Sequence, residues 1–268
     1  MKRETPSPKT WRDMRRSPRR NFRAAAVRGL WVGLCLLFTM AAEASPASAL
    51  FQTGVTAYRA GDYPVAVTAF RQAAELRPAS GTFQNLGNAE WQRGNPGPAI
   101  VAWEQAVWLD PFNGAARENL RFARKTAQLE SPELAWYEVV STWLPLNWWA
   151  WLAGLSLWLA VGLVMVPGIL RRRKRAWHQA VAAFGFAIFL LSVPAHLGVD
   201  TRSRIGFVLR KDTPLRLTPT REAQPVTRLA GGEPARLQRA RGDFLLVRTS
   251  RATGWVRRSE FGLICPRR

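Results

Sequence analysis

Two histidines and two cysteines carry all the imidazole and thiol chemistry open to this chain of 268 residues. His178 and His196 sit near opposite ends of one apolar stretch. On a helix they would stand ~27 Å apart, too far to share a metal ion. No carboxylate lies between the two apolar stretches, and both histidines read as residues of a membrane interface. Cys35 lies in the apolar core of an N-terminal leader, which leaves Cys265 as the one thiol of a processed chain. A single thiol forms no internal disulfide and has no metal-ligand spacing. There is no haem-attachment motif and no residue set that would cleave a bond. An enzyme acting within the bilayer would need ionisable groups there. The expectation is a non-enzymatic protein with no cofactor and no metal, whose chemistry is recognition.

The other candidate chemistry is charge. The net charge is +21, and only five of the 39 basic residues are Lys. Residues 1–49 carry ten Lys/Arg against three Asp/Glu, and residues 50–133 carry eight of each. Residues 205–268 carry fourteen against five. That basic C-terminal segment suits anionic lipid headgroups, acidic partners or nucleic acid. A solvated surface in an arginine-rich chain accounts for it more simply, and no nucleic-acid partner is expected.

Residues 1–49 read as a secretory signal peptide. Residues 1–28 are basic, residues 29–42 are uncharged, and Ala47-Ser48-Ala49 gives a small-x-small exit. As a helix the uncharged run spans ~21 Å, short of a ~30 Å hydrocarbon core, which favours cleavage over retention as an anchor. Arg19-Arg20-Asn21-Phe22 resembles a twin-arginine export signal, with Arg23 where an apolar residue is expected. A true start at Met14 explains the long basic region equally well.

Residues 50–129 have helical periodicity. Compared with itself at a shift of 33, the chain aligns Gly54 with Gly87, Gly61 with Gly94 and Ala66 with Ala99. The same shift aligns Phe70 with Trp103, Ala73 with Ala106 and Pro78 with Pro111. Each unit reads as helix–turn–helix. Gly54 and Gly87 let two helices approach, and Gly61 and Gly94 supply the turn. Ala66, Phe70 and Ala73 share one face, and the prolines stop the second helix. A further helix over about residues 113–128, with Leu120 and Ala123 inward, caps the stack.

This pattern resembles the tetratricopeptide repeat (TPR) over about residues 47–112. The resemblance implies an all-α TPR helical repeat whose concave groove holds a segment of a partner protein. On family positions the groove is lined by Phe51, Val55 and Tyr58, then by Gln84, Asn88 and Trp91, then by Arg117, Arg121 and Arg124. Asn88 and Arg121 occupy equivalent places one repeat apart, and an amide beside guanidiniums suits a carboxylate. This is similar to the carboxylate clamp of some family members. Phe51 and Val55 stand where that clamp has Lys and Asn, and a solvated basic face on the capping helix is the alternative.

Residues 147–170 contain no charge and reach ~36 Å as a helix, enough to cross a bilayer with some tilt. Residues 176–199 form a second such stretch, so the pair reads as a two-helix transmembrane hairpin. Loop 171–175 is five consecutive cations, which the positive-inside rule places in the cytoplasm. Both flanks then face outward, in agreement with the leader. Residues 130–146 contain Trp136, Tyr137 and Trp143 and read as an interfacial linker or helix.

From residue 205 the periodicity changes. Phe207-Val208-Leu209, Leu215-Arg216-Leu217, Val226–Leu229, Phe244–Val247 and Gly254-Trp255-Val256 alternate with turn signals such as Gly231-Gly232 and Gly242-Asp243. Five or six short strands suggest a small antiparallel barrel over 205–265. The Gly-Trp-Val element followed by Ser259 and Phe261, and Gly242-Asp243-Phe244 with Val247, resemble a bacterial SH3-like domain, a small all-β barrel. The resemblance implies a ligand face carrying Phe244 and Trp255, with peptidoglycan as a possible ligand; Trp255 is as well suited to a core.

The whole order is leader, TPR pair, two spans and SH3-like barrel, a multidomain membrane protein. It resembles the BatE-type component of the Bacteroides aerotolerance operon. The resemblance implies other membrane proteins as partners, among them von Willebrand factor A-domain proteins, and a role in aerotolerance or envelope stress. The expected function is a scaffold at the periplasmic face of the inner membrane, with both modules on that face. The alternative is a sensor that grips peptidoglycan through the SH3-like domain.

Overall fold

The computed structural model describes residues 45–169 and 176–265. The leader up to residue 44 and the cationic loop 171–175 lie outside the described residues. Five helices come first: α1 (Pro46–Arg59), α2 (Tyr63–Leu76), α3 (Ser80–Gln92), α4 (Pro96–Leu109) and α5 (Gly114–Ala127). The Ala47-Ser48-Ala49 triplet falls in the first turn of α1, where the Ala49 carbonyl accepts a bond from the Thr53 hydroxyl at 3.1 Å. Gly61 and Gly94 both adopt φ +78°, a left-handed conformation that glycine reaches without strain. The two inter-helix turns thus repeat in backbone as well as in sequence.

Close packing explains the other glycine pair. A Cβ on Gly54 would lie 2.6 Å from the Phe70 ring, and one on Gly87 would lie 2.5 Å from the Trp103 indole. Each ring fills the room its glycine leaves. Leu120 stands 33 residues beyond Gly87 and is buried. Among the described residues no helix packs on α5 as α4 packs on α3, so no space for a crossing ring is needed there. Gly87→Ala should lower stability by about 1–3 kcal/mol through this overpacking. Gly81→Ala on the same helix, with open space around it, should not lower it. Chemical denaturation of the detergent-solubilised chain compares the two.

Next come α6 (Trp136–Ser141), α7 (Leu146–Ile169) and α8 (Ala176–Arg202). Helices α7 and α8 are long and apolar enough to cross a membrane. They pack against each other through small residues: a Cβ on Gly185 would lie 3.0 Å from the Ser156 carbonyl oxygen. Their outer faces carry bare apolar side chains, with Trp151, Trp158, Phe184 and Leu191 each between 69% and 74% exposed. In water such a surface would aggregate. Helix α8 runs past the expected end of its apolar stretch, through Asp200 to Arg202.

The rest is one antiparallel sheet of seven strands. They are β1 (Ile205–Val208), β2 (Thr213–Arg216), β3 (Pro225–Leu229), β4 (Pro234–Arg241), β5 (Phe244–Arg248), β6 (Thr253–Arg257) and β7 (Phe261–Leu263). Their order is β3-β2-β6-β5-β4-β1-β7. The five apolar runs read from the sequence each overlap a strand. Strand β4, with the sequence PARLQRAR, is not among those runs and is the strand expected after Gly232. One face of the sheet buries Leu215, Leu229, Leu245, Val247 and Val256.

The helices and the sheet share a core. Ile205, Phe207 and Ile264 are buried in the same apolar cluster as Ala99 and Ile100 of α4. Gly97 lies so close to β1 that a Cβ there would collide with the carbonyl oxygens of Leu209 and Val208. Gln105 of α4 donates a hydrogen bond to the Leu263 carbonyl at 2.9 Å. The segments before and after the apolar hairpin are therefore joined directly, as well as through it.

Candidate functional site

The positions that the sequence pattern assigns to a groove lie on α1, α3 and α5. Their aromatic residues are half-buried and packed together. Phe51 lies 5.6 Å from Phe70, Tyr58 lies 5.5 Å from Tyr63, and Trp91 lies 5.8 Å from both Trp103 and Phe122. Val55 and Gln84 are half-buried, and Phe122 is exposed. Arg117 and Arg121 are exposed, with Arg117 donating from Nη1 to the Pro111 carbonyl at 3.4 Å.

Asn88 and Arg124 are already engaged. The Asn88 Oδ1 accepts from Trp103 Nε1 at 3.0 Å and from Asn119 Nδ2 at 2.8 Å. Here the two repeats differ in a linked way. Repeat one pairs Phe70 with Val55, and repeat two pairs Trp103 with Asn88. A buried indole N–H needs an acceptor and a phenyl ring does not. Arg124 turns to α4, where it forms an ion pair with Glu104. Burial pushes the Glu104 carboxyl up, against the charges of Arg124 and Arg202 and the Arg124 hydrogen bond. Of the three arginines assigned to the groove, Arg117 and Arg121 stay open and Arg124 is internal.

Polar side chains also tie the helices, the apolar hairpin and the sheet together. At the end of α8, Arg202 lies over the Trp108 ring at 5.2 Å and donates to Ser141 Oγ at 3.0 Å. On α6, the Glu138 side chain is 1% exposed and is gripped by Arg236 of β4. The two bonds measure 2.7 Å (Nη1 to Oε1) and 2.6 Å (Nη2 to Oε2), a fork-to-fork arrangement. The Ala135 amide adds a third bond at 2.9 Å. Burial works to raise the Glu138 carboxyl, but its bonds to Arg236, Thr201 and Ala135 and the Arg236 charge hold it below the usual value. The linker expectation treated this segment as surface-lying. Trp136 and Trp143 are indeed exposed, yet Glu138 is buried. A lone acid inside AWYEVV was the available signal, because a carboxylate in an apolar run needs a partner.

Between the helical stack and the sheet runs a cleft of about 780 Å³. Val101, Ala102 and Leu209 are among the residues that line its apolar part, and Arg71, Arg93 and Arg210 are among the polar ones. Glu90 in the cleft is buried and saturated, accepting from Arg71 at 2.9 Å and Asn95 at 2.9 Å. No sequence signal marked this cleft, because residues more than a hundred positions apart build it.

Phe244 and Trp255 both lie on the sheet face opposite the core. Their neighbours along the strands, Leu245, Gly254 and Val256, are buried, while Phe244 and Trp255 are half-exposed. Trp255 pairs across the sheet with Leu246 on one side and Arg216 on the other. His178 stacks on Trp177 at 3.8 Å, and His196 Nδ1 lies 2.9 Å from the Ser192 carbonyl. Neither histidine approaches the groove residues or the cleft. No protein-family model matches this chain, and no curated protein matches it.

Proposed function

We propose that this protein is a non-enzymatic, membrane-anchored scaffold that binds partner proteins in a TPR-type groove. One observation carries the reading: Arg117, Arg121 and Phe122 stay exposed on α5, with the Phe122 ring against Trp91, on a stack joined to two bare apolar helices. Helices α7 and α8 span the inner membrane, with the cationic loop in the cytoplasm and both modules in the periplasm. The sheet is an SH3-like barrel braced against the repeats. The arrangement fits a BatE-type component of an aerotolerance or envelope-stress complex, with von Willebrand factor A-domain membrane proteins as partners.

Cross-linking in native membranes followed by mass spectrometry identifies the partner. The Arg117→Ala/Arg121→Ala variant should reduce its capture about tenfold or more, since each charge-assisted bond contributes about 1.5–3 kcal/mol. Undiminished capture removes the groove reading.

The outward Trp255 favours a second reading, a sensor that grips peptidoglycan. Retention of the solubilised chain on purified peptidoglycan, lost in Trp255→Ala, would favour that sensor.

A further inference from the structure

The outer face of the sheet carries a pattern that the groove leaves unused. The strand register sets Arg239, Leu246, Trp255 and Arg216 in one row across β4, β5, β6 and β2. Arg241, Phe244 and Arg257 form the next row. Strands β2 to β6 contain no Asp or Glu. Among the described residues, none of the four arginines that end these rows forms an ion pair with a carboxylate. Arg216 donates to the Ala223 carbonyl at 2.9 Å, and the shielded Nε of Arg257 has no partner.

We infer that this face docks on the anionic phospholipid surface beside the apolar hairpin. It rests on the membrane reading above. The tether comes first. Helix α8 ends at Arg202 and β1 begins at Ile205, a connection of at most ~10 Å. The Arg204 carbonyl between them is pinned by the Leu237 amide at 2.8 Å. A sheet held so close to the end of a span cannot leave the bilayer surface. Residue chemistry comes second. Half-buried Trp, Phe and Leu between guanidiniums match the headgroup layer, where aromatic rings settle and phosphates attract cations. A soluble polyanion would have to find this face, whereas the bilayer is always beside it.

The test places the photoreactive residue p-benzoylphenylalanine at position 244 in the full chain. The chain is reconstituted in nanodiscs of phosphatidylcholine alone, or of phosphatidylcholine mixed with phosphatidylglycerol. Lipid adducts should form with phosphatidylglycerol present and fall about fivefold for each arginine neutralised in Arg239→Gln and Arg257→Gln. Raised salt should lower the yield from the unaltered arginines too, which keeps the test open if a variant misfolds. Equal adducts in phosphatidylcholine alone, no adduct, or adducts to glycan or protein in native membranes would overturn the inference. Carbonate extraction checks the membrane reading separately: release of the chain would sink that reading itself.

Discussion

Arg236→Ala is expected to cost about 3 kcal/mol of stability, the lower end for breaking a buried ion pair. The variant leaves Glu138 with a side chain 1% exposed and no guanidinium. Arg236 itself is 37% exposed, so water reaches part of the vacated site and limits the loss. Glu138→Gln should cost less, because an amide can keep hydrogen bonds without a buried charge. Denaturant titration in detergent measures both. The pH dependence has a definite sign. The Glu138 carboxyl is held low, so its contribution is complete above the unfolded carboxyl value, about 4.3. It fades as pH falls through the lower folded value. Arg236→Ala should therefore shrink the loss of stability on the acid side. Glu104, raised by burial, acts in the opposite sense: its contribution is present below about pH 4.3 and is lost as pH rises through its folded value.

Gly97→Ala is expected to destabilise by about 3 kcal/mol, the upper end for overpacking. Gly97 stands in the first turn of α4, where alanine is otherwise the better helix former, so the sign alone is diagnostic. The obstacles are the carbonyl oxygens of Leu209 and Val208, which are backbone and cannot rotate away. Helix α4 must then lift from β1. Hydrogen exchange should rise at Ile205, Phe207 and Ile264, which share a core with α4. Gly114→Ala, with open space around it, serves as the control.

The repeat was legible because its signals are local: a glycine and the ring it faces are 16 residues apart in both units, Gly54 with Phe70 and Gly87 with Trp103. The apolar helices were legible for the same reason. The joint between helices and sheet was not, since Gly97 and Leu209 show their relation only after folding. Glu138 and Arg236 lie 98 residues apart; the apolar run around Glu138 signals that it needs a partner, but nothing in the sequence says which arginine. Sequence position also gave no sign that Arg124 pairs with Glu104, because a guanidinium on a long stem reaches either neighbouring helix. Glu104 on α4 decided between them.

Arg202 closes α8 with its charge seated on Trp108 and bonded to Ser141. Pro194, inside the same helix, cannot donate the backbone bond that would stiffen that turn. A compliant turn thus lies about 12 Å before a rigid anchor. Bending of α8 can be taken up at Pro194, leaving the seat of Arg202 on Trp108 and Ser141 undisturbed.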